Sequence, residues 1–416
     1  MVRDRIPVFP AKGQTARLDL GPKARVLGAK AKGRGMGLIK AYPADRVFDG
    51  KTMVESRVLL VESGRVAGIA AVREVPAGAD WADPVPLIAP GFVDLQVNGG
   101  DGVMLNDAPT VDGLRRIAAA HGAAGTTALL PTLITDTDAV RAEAVDSVEA
   151  AIAADVPGII GLHLEGPHLS PKRKGAHRGD LIRPMTDADL DFLCDAAGRL
   201  PVLKITLSPE AATSEQIAAL ARAGVIVSIG HAEVSFDACA AAAEAGAVCV
   251  THLFNAMRQI GGRDPGVVGA ALMDGRLRAG LIADGHHVHA QNIRMVADRL
   301  LPQDRLFLVT DAMAPFGTDA TAFDLNGRRV LRRDGTLRLE DGTLAGADLS
   351  LPQAMRNLMA FADVPVEAAL GCATRVPAMT IGRWPALGSL KPGARADFVA
   401  LETDLTLRHV HRAKTL

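Results

Sequence analysis

Through the middle of the chain, short apolar runs alternate with longer stretches whose apolar positions recur at helical spacing. The runs are Gly91–Val97, Thr126–Leu130, Ile159–Leu164, Leu203–Leu207, Val225–Ile229, Ala247–His252, Arg278–Ala283 and Leu306–Thr310. Between them lie alanine-rich amphipathic stretches such as Thr110–His121, Thr137–Ala154, Ser214–Ala223 and Ser235–Ala245. Hydrophobicity that is continuous within a run predicts strands buried on both faces. Strand–helix alternation predicts a parallel sheet. Eight such units over about 300 residues point to an α/β fold of the (β/α)8 TIM-like barrel type, with a doubly wound sheet as the rival that counting alone leaves open.

The two ends read differently. From Gly37 to Ile88 the pattern is β-rich, with Ser56–Glu62 and Arg65–Ala71 as strands and Asp49-Gly50 and Ser63-Gly64 as turns. Ala386–Val410 reads the same way, with a turn at Pro392-Gly393 and a strand at Asp397–Leu401. The economical arrangement is one small β-sandwich formed by both chain ends, residues 36–88 and 384–416, beside a barrel spanning residues 89–383. Within the barrel, Phe323–Leu344 carries Asn326-Gly327, Asp334-Gly335 and Asp341-Gly342. That is hairpin chemistry, so an inserted β-hairpin is expected before a final helix starting near Ser350.

Composition narrows the classes. Hydrophobic residues make up 48% and charged residues 22%, a globular mixture, and the formal net charge of −1 offers no field to recruit nucleic acid or a membrane surface. No apolar run reaches the ~18 residues of a membrane span. Cys194, Cys239, Cys249 and Cys372 form no CxxC pair, which favours core cysteines in a reducing, cytoplasmic setting over a disulfide frame. Residues 1–35 are strongly basic and lack the apolar stretch and cleavage site of a secretory signal. A disordered arm, a targeting peptide and a non-native extension compete for them. The last is preferred, because Met36 directly precedes the first clean strand pattern.

In a barrel of this kind the chemistry sits at the C-terminal ends of the strands, and unusual polar residues fall there repeatedly. Asp94, Gln96 and Asn98 share one face of the first run. Glu165 closes the third, His231 follows the fifth, His252 closes the sixth, Asp284 to His287 follow the seventh and Asp311 follows the eighth. One carboxylate and two histidines suit Zn²⁺ and related divalent ions, and three protein ligands leave a position for water. The blander reading makes Glu165, His231 and His252 hydrogen-bonding core residues; their placement at three separate strand ends argues for the metal. Asp311 is placed to accept a proton from water, or else caps a helix or pairs with a base. His163, two residues before Glu165, reads as core rather than ligand, and His168 and His289 read as loop residues.

These segments resemble the amidohydrolase superfamily and, within it, the N-acetylglucosamine-6-phosphate deacetylase family. The motifs are Pro90-Gly91-Phe92-Val93-Asp94-Leu95-Gln96-Val97-Asn98-Gly99, His163-Leu164-Glu165-Gly166-Pro167, Lys174-Gly175-Ala176-His177, Gly230-His231, His252-Leu253-Phe254-Asn255-Ala256-Met257, Asp284-Gly285-His286-His287 and Thr310-Asp311-Ala312. The likeness runs from about Ile39 to Val410. Many superfamily members carry His-x-His on the first strand; here Gln96 and Asn98 occupy those positions, and amides are poor ligands for a transition metal. The resemblance therefore implies one divalent ion per subunit, Zn²⁺ with Fe²⁺, Co²⁺ or Mn²⁺ as substitutes, on Glu165, His231 and His252.

It also implies Asp311 as acid–base and His177 beside the amide carbonyl. Substrate contacts fall at Ala176, Asn255, Ala256, Asp284, Gly285, His286, His287, Leu344, Ala345 and Gly346. Arg263 is implied as a phosphate-binding residue, often across a dimer interface. A guanidinium suits that task, since it grips phosphate through a bidentate fork. Arg258-Gln259 after Met257 departs from the family pattern and bears on the phosphate end. The implied reaction is hydrolysis of the acetamide of N-acetyl-D-glucosamine 6-phosphate by a cytoplasmic homodimer. The alternatives are another N-acetylated sugar phosphate or N-acyl compound, or a silent scaffold, which retention of Glu165, His231, His252 and Asp311 argues against.

Overall fold

The computed structural model describes residues 38–413; the basic segment 1–35 lies outside them. Eight parallel strands follow one another around a barrel in chain order: β1 (Phe92–Val97), β2 (Thr126–Ile134), β3 (Leu162–Glu165), β4 (Leu203–Leu207), β5 (Ile226–Ile229), β6 (Cys249–Val250), β7 (Arg278–Leu281) and β8 (Leu306–Leu308). β8 and β1 meet just beyond their ends, where Val97 pairs with Ala312 and the Asp311 N–H donates to the Gln96 carbonyl at 3.0 Å. Each strand is followed by a helix: α1 (Val111–Ala123), α2 (Asp138–Ala153), α3 (Asp187–Arg199), α4 (Ser214–Arg222), α5 (Phe236–Ala245), α6 (Gly266–Met273), α7 (Ala290–Leu300) and α8 (Leu351–Ala362). The doubly wound alternative is thereby excluded.

The helices begin where the side chains dictate. Thr110, Thr137, Thr213, Ser235 and Ser350 each accept a hydrogen bond from the backbone N–H three residues on, satisfying a donor that the first turn leaves without an intrahelical partner. Ile205, Leu207, Val227, Ile229 and Leu281 are fully buried on the strands. The barrel interior below the mouth is nonetheless partly polar. The Lys204 ammonium donates to His163 Nε2 at 3.2 Å, and Thr206, Thr251 and Ser228 form a hydroxyl chain with spacings of 2.7 and 2.6 Å.

Both chain ends enter one seven-stranded sheet. Strands 398–401 and 407–411 join strands 40–48, 53–62, 65–70, 80–81 and 85–90. Residues 398–401 pair antiparallel with 85–90, which pairs parallel with 40–48. Separate hydrophobic clusters form around Val47, Leu59, Ile88 and Phe398 and around Ala41, Val58 and Leu60.

Two features differ from the sequence pattern. The insertion before α8 is a four-stranded antiparallel meander, residues 322–325, 328–333, 336–339 and 344–347, rather than one hairpin. Asn326-Gly327 and Asp334-Gly335 take left-handed φ values in two-residue turns, and the Asp341-Gly342 turn adds another strand. Leu325, Val330, Leu337 and Ala345 pack on Met104, Ile134 and Met313, which fastens the meander over the barrel mouth. The sixth strand is shorter than its apolar run. At His252 (φ 29°) and Phe254 (φ 78°) the backbone turns left-handed and leaves the sheet.

Candidate active site

The C-terminal ends of β3, β5 and β6 bring three donor atoms together. His252 Nε2 is 3.0 Å and His231 Nε2 3.3 Å from Glu165 Oε1, and the two imidazole nitrogens are 3.1 Å apart. A tetrahedral ion with bonds of ~2.0–2.1 Å sets its ligands roughly 3.3 Å apart, so the triangle has the size a divalent ion requires. The tautomer of His231 agrees. Its Nδ1 lies 2.7 Å from the Arg173 carbonyl, an acceptor only, so the proton is on Nδ1 and the Nε2 lone pair faces Glu165. A lone pair aimed at a carboxylate oxygen calls for a cation between them.

In the metal-free protein, protonated imidazoles take the place of a cation beside Glu165. Burial raises the Glu165 pKa, but His231 and His252 outweigh it and hold the carboxyl well below its ordinary value. Burial opposes charge on His252, but Glu165 outweighs it and raises the imidazole pKa. His177 also brings a donor atom within 4.8 Å of those of Glu165 and His231. It stands farther off, with Nε2 3.9 Å from Glu165 Oε2, which makes His252 the third donor of the compact set.

His177 has its own constraint. The Thr135 backbone N–H donates to His177 Nδ1 at 3.3 Å, and Thr135 Oγ1 is 2.8 Å from the same nitrogen. A backbone N–H only donates, so Nδ1 is the acceptor and the ring proton sits on Nε2, facing the cavity. Burial, reinforced by His231, pushes the His177 pKa down to about 3, so the ring is a neutral donor at physiological pH.

Asp311, just past β8, completes the group. Its Oδ1 accepts from Asn98 Nδ2 at 2.8 Å and from Gln96 Nε2 at 3.0 Å. Burial, then the Glu165 charge, raises its pKa. Asp94 on β1 is fully buried and accepts from the Thr310 hydroxyl at 2.6 Å, tying β1 to the end of β8. Burial pushes its pKa up to about 7.

A cavity of about 320 Å³ opens over these groups, the size of a single small-molecule site. Its walls bring together Asn98, Glu165, Ala176, His177, His231, His252, Asn255, Ala256, His287, Asp311, Leu344 and Gly346. Gln96 sits beneath, bonded to Glu165 and Asp311. Asp284 is not on the wall: its carboxylate takes the His287 Nδ1–H at 2.6 Å and the backbone N–H groups of His286 and His287, and so aims His287. Gly285 and His286 lie outside the wall, and Ala345, on the last strand of the meander, is buried in its apolar cluster. Arg263 is exposed and lines no part of the cavity.

Sequence reasoning missed Thr135, Arg173, Lys172, Ile134, Met313 and Thr343. Thr135 had a usable signal, since it directly follows β2, whose apolar run continues through Pro131 to Ile134. Arg173 had none: its carbonyl holds His231 while its side chain pairs with Glu233.

The amidohydrolase family profile matches residues 87–414, and the chain belongs to that family. An N-acetylgalactosamine-6-phosphate deacetylase of Shewanella sp. is 39% identical over 86% of this chain and 91% of its own length. An N-acetylglucosamine-6-phosphate deacetylase of Haemophilus influenzae is 35% identical over 74% of this chain and 80% of its own. The crystal structure of N-acetylglucosamine-6-phosphate deacetylase from Pasteurella multocida superposes with a TM-score of 0.86 at 33% identity, covering 90% of this chain and 98% of that one.

Proposed function

We propose that this protein hydrolyses the acetamide of N-acetyl-D-glucosamine 6-phosphate to glucosamine 6-phosphate and acetate. The observation that carries the reading is the convergence, in one cavity, of three donors at ion-binding distances with a buried acid and a neutral histidine donor. Glu165, His231 and His252 hold the ion, which we take to be Zn²⁺, one per subunit. Bound there, such an ion lowers the pKa of water toward ~7 and polarises the acetyl carbonyl.

The chain's own groups do the rest. Asp311 takes a proton from the attacking water as its oxygen bonds to the carbonyl carbon. The His177 Nε2–H donates to the carbonyl oxygen as that oxygen gains charge. When the C–N bond breaks, Asp311 returns the proton to the departing nitrogen, leaving acetic acid and the amine, which ionise to acetate and the ammonium. Asn255, Ala256, His287, Leu344 and Gly346 wall the sugar.

Arg263 is exposed, and no ion pair engages it among the described residues. It is therefore free to serve the phosphate of a partner's substrate in a cytoplasmic homodimer. No described helix is long and apolar enough to cross a membrane. Residues 36–88 with 384–416, and residues 89–383, are the two units of the same proposal.

The 39% identity to the Shewanella enzyme favours a second reading, in which the sugar is the galactose epimer. Acetate release from both N-acetylhexosamine 6-phosphates and from unphosphorylated N-acetylglucosamine, with and without a chelator, decides. Chelator-sensitive activity restricted to phosphorylated sugars is expected, and Arg263→Ala should weaken only those. Equal activity with and without phosphate would overturn the sugar-phosphate reading; preference for the galactose epimer would select the second.

A further inference from the structure

Two amides stand among the acids with their nitrogens turned inward. Asn98 Nδ2 and Gln96 Nε2 lie 2.8 and 3.0 Å from the same oxygen, Asp311 Oδ1, while Oδ2 receives no side-chain donor among the described residues. Gln96 Nε2 also lies 3.2 and 3.4 Å from the two Glu165 oxygens. An amide nitrogen carries two hydrogens, so one Gln96 nitrogen serves both carboxylates. The opposite orientation would set a carbonyl oxygen against carboxylate oxygens, lone pair to lone pair. The correct orientation has a cost, because Gln96 Oε1 and Asn98 Oδ1 are buried without a partner, which an apolar residue at either position would avoid.

From this arrangement, and resting on the function proposed above, we infer that Gln96 and Asn98 are positioning residues for Asp311. They anchor Oδ1 and leave Oδ2 as the oxygen that exchanges protons with water and amine. The backbone seam supports the clamp: the Asp311 N–H donates to the Gln96 carbonyl at 3.0 Å, and the Asn98 N–H donates to the Ala312 carbonyl at 2.9 Å. The acid and its two donors are thus in register by main-chain bonds alone. Neutral donors suit the task. They keep Glu165 and Asp311 apart and oriented, as a cation would, yet leave Asp311 able to gain and lose a proton. The amides at the first-strand positions are therefore working parts of a single-ion site.

The test uses Asn98→Leu and Gln96→Met in the full-length, metal-loaded protein, with the isosteric Asn98→Asp as a second probe should Asn98→Leu fail to fold. Misplacing a reacting group by about 1 Å costs up to about 100-fold, so kcat is expected to fall about 10- to 100-fold. KM should stay within about threefold and one ion per subunit should be retained. Crystal structures should show the Asp311 carboxyl rotated relative to wild type. Wild-type kcat in loaded variants would overturn the inference. So would a loss of kcat that tracks loss of the ion, which would assign the amides to the metal site instead. If wild type releases no acetate from either sugar phosphate, the functional reading fails by itself; the clamp is then judged on the crystal structures, and an unrotated Asp311 in the variants overturns it.

Discussion

Replacing His177 with phenylalanine isolates one hydrogen bond. The ring has 4% exposure, and the Thr135 backbone N–H, donating to Nδ1 at 3.3 Å, places its proton on Nε2. With burial as the main cause, its pKa lies at about 3, so at pH 7 only about one ring in ten thousand is charged. The donor is therefore neutral, preset and aimed at the cavity. Removing one such donor from a developing oxyanion costs roughly 2.7–4 kcal/mol, or about 10²–10³ in kcat. Steady-state kinetics from pH 5 to 9 should show that loss with KM little changed. The ratio of variant to wild type should be flat across the range, since the His177 pKa lies below it. A loss under about fivefold, or a ratio that bends near the ordinary histidine pKa of about 6.5, would refute the neutral-donor argument. Burial also leaves a stability signature in metal-free protein. Below the ordinary histidine pKa the unfolded chain takes a proton that the folded ring refuses, so wild type loses stability as pH falls from about 6.5 toward 3. His177→Phe should lose less over that window in urea titrations.

Asp311→Asn should abolish turnover while leaving ion content and substrate binding in place, measured by elemental analysis and calorimetry; normal turnover would remove Asp311 from the mechanism. Asp189→Asn should destabilise the fold by roughly 1–3 kcal/mol, because buried Arg141 would lose its buried carboxylate partner at 2.9 Å and keep only the exposed Asp138 at 3.0 Å. Burial raises the Asp189 pKa, but the bonds from Arg183, Thr186 and Arg141 outweigh it and lower it below the ordinary value. Its contribution is thus present above the unfolded pKa and lost as pH falls through the folded one, so the acid-unfolding curve of the variant should be shallower below about pH 4. Gly346→Ala should cut activity before it unfolds the protein. At φ 73° the new methyl would meet Met313 Cγ at 2.4 Å and the Asp311 carbonyl at 2.8 Å, and unaltered kinetics would show the strand can move aside.

Much of this was legible because barrel strands buried on both faces write themselves as unbroken apolar runs, against which Glu165, His231, His252 and Asp311 stand out. The meander was under-read because its outward positions carry Arg328, Arg329, Arg332 and Arg333, so only its turn residues gave a signal. Asp284 and Arg263 show a different limit. A polar residue at a strand end can face the cavity, as His287 does, or serve a neighbour, as Asp284 serves His287. Side-chain period does not distinguish them. The Arg173 carbonyl, which sets the tautomer of His231, is a backbone atom that every residue possesses, so no residue type announces it.

The backbone at the site adds a further argument. His231, His252 and Asp311 have φ values of 46°, 29° and 50°, a left-handed region that costs non-glycine residues of order 1–3 kcal/mol each. Extended backbone would avoid that cost, yet three key positions on three separate strands share the departure. Each follows or closes a strand that is itself buried and hydrogen-bonded to its neighbours, as Ser228 pairs with Cys249 and Leu281 with Leu308. The sheet thus holds the strain in place. Each left-handed residue stands two or three positions past its strand but stays tied to neighbouring segments by backbone bonds, as the Asp311 N–H is to the Gln96 carbonyl and the His231 carbonyl to the Ser170 N–H, so its side chain rides on the barrel rather than on a free loop. That accounts for donor atoms lying 3.0 to 3.3 Å apart, although they are separated by up to 87 positions from Glu165 to His252. Glycine at any of the three positions would relieve the strain and lose the ligand or the acid, so the strain persists where the chemistry needs a side chain.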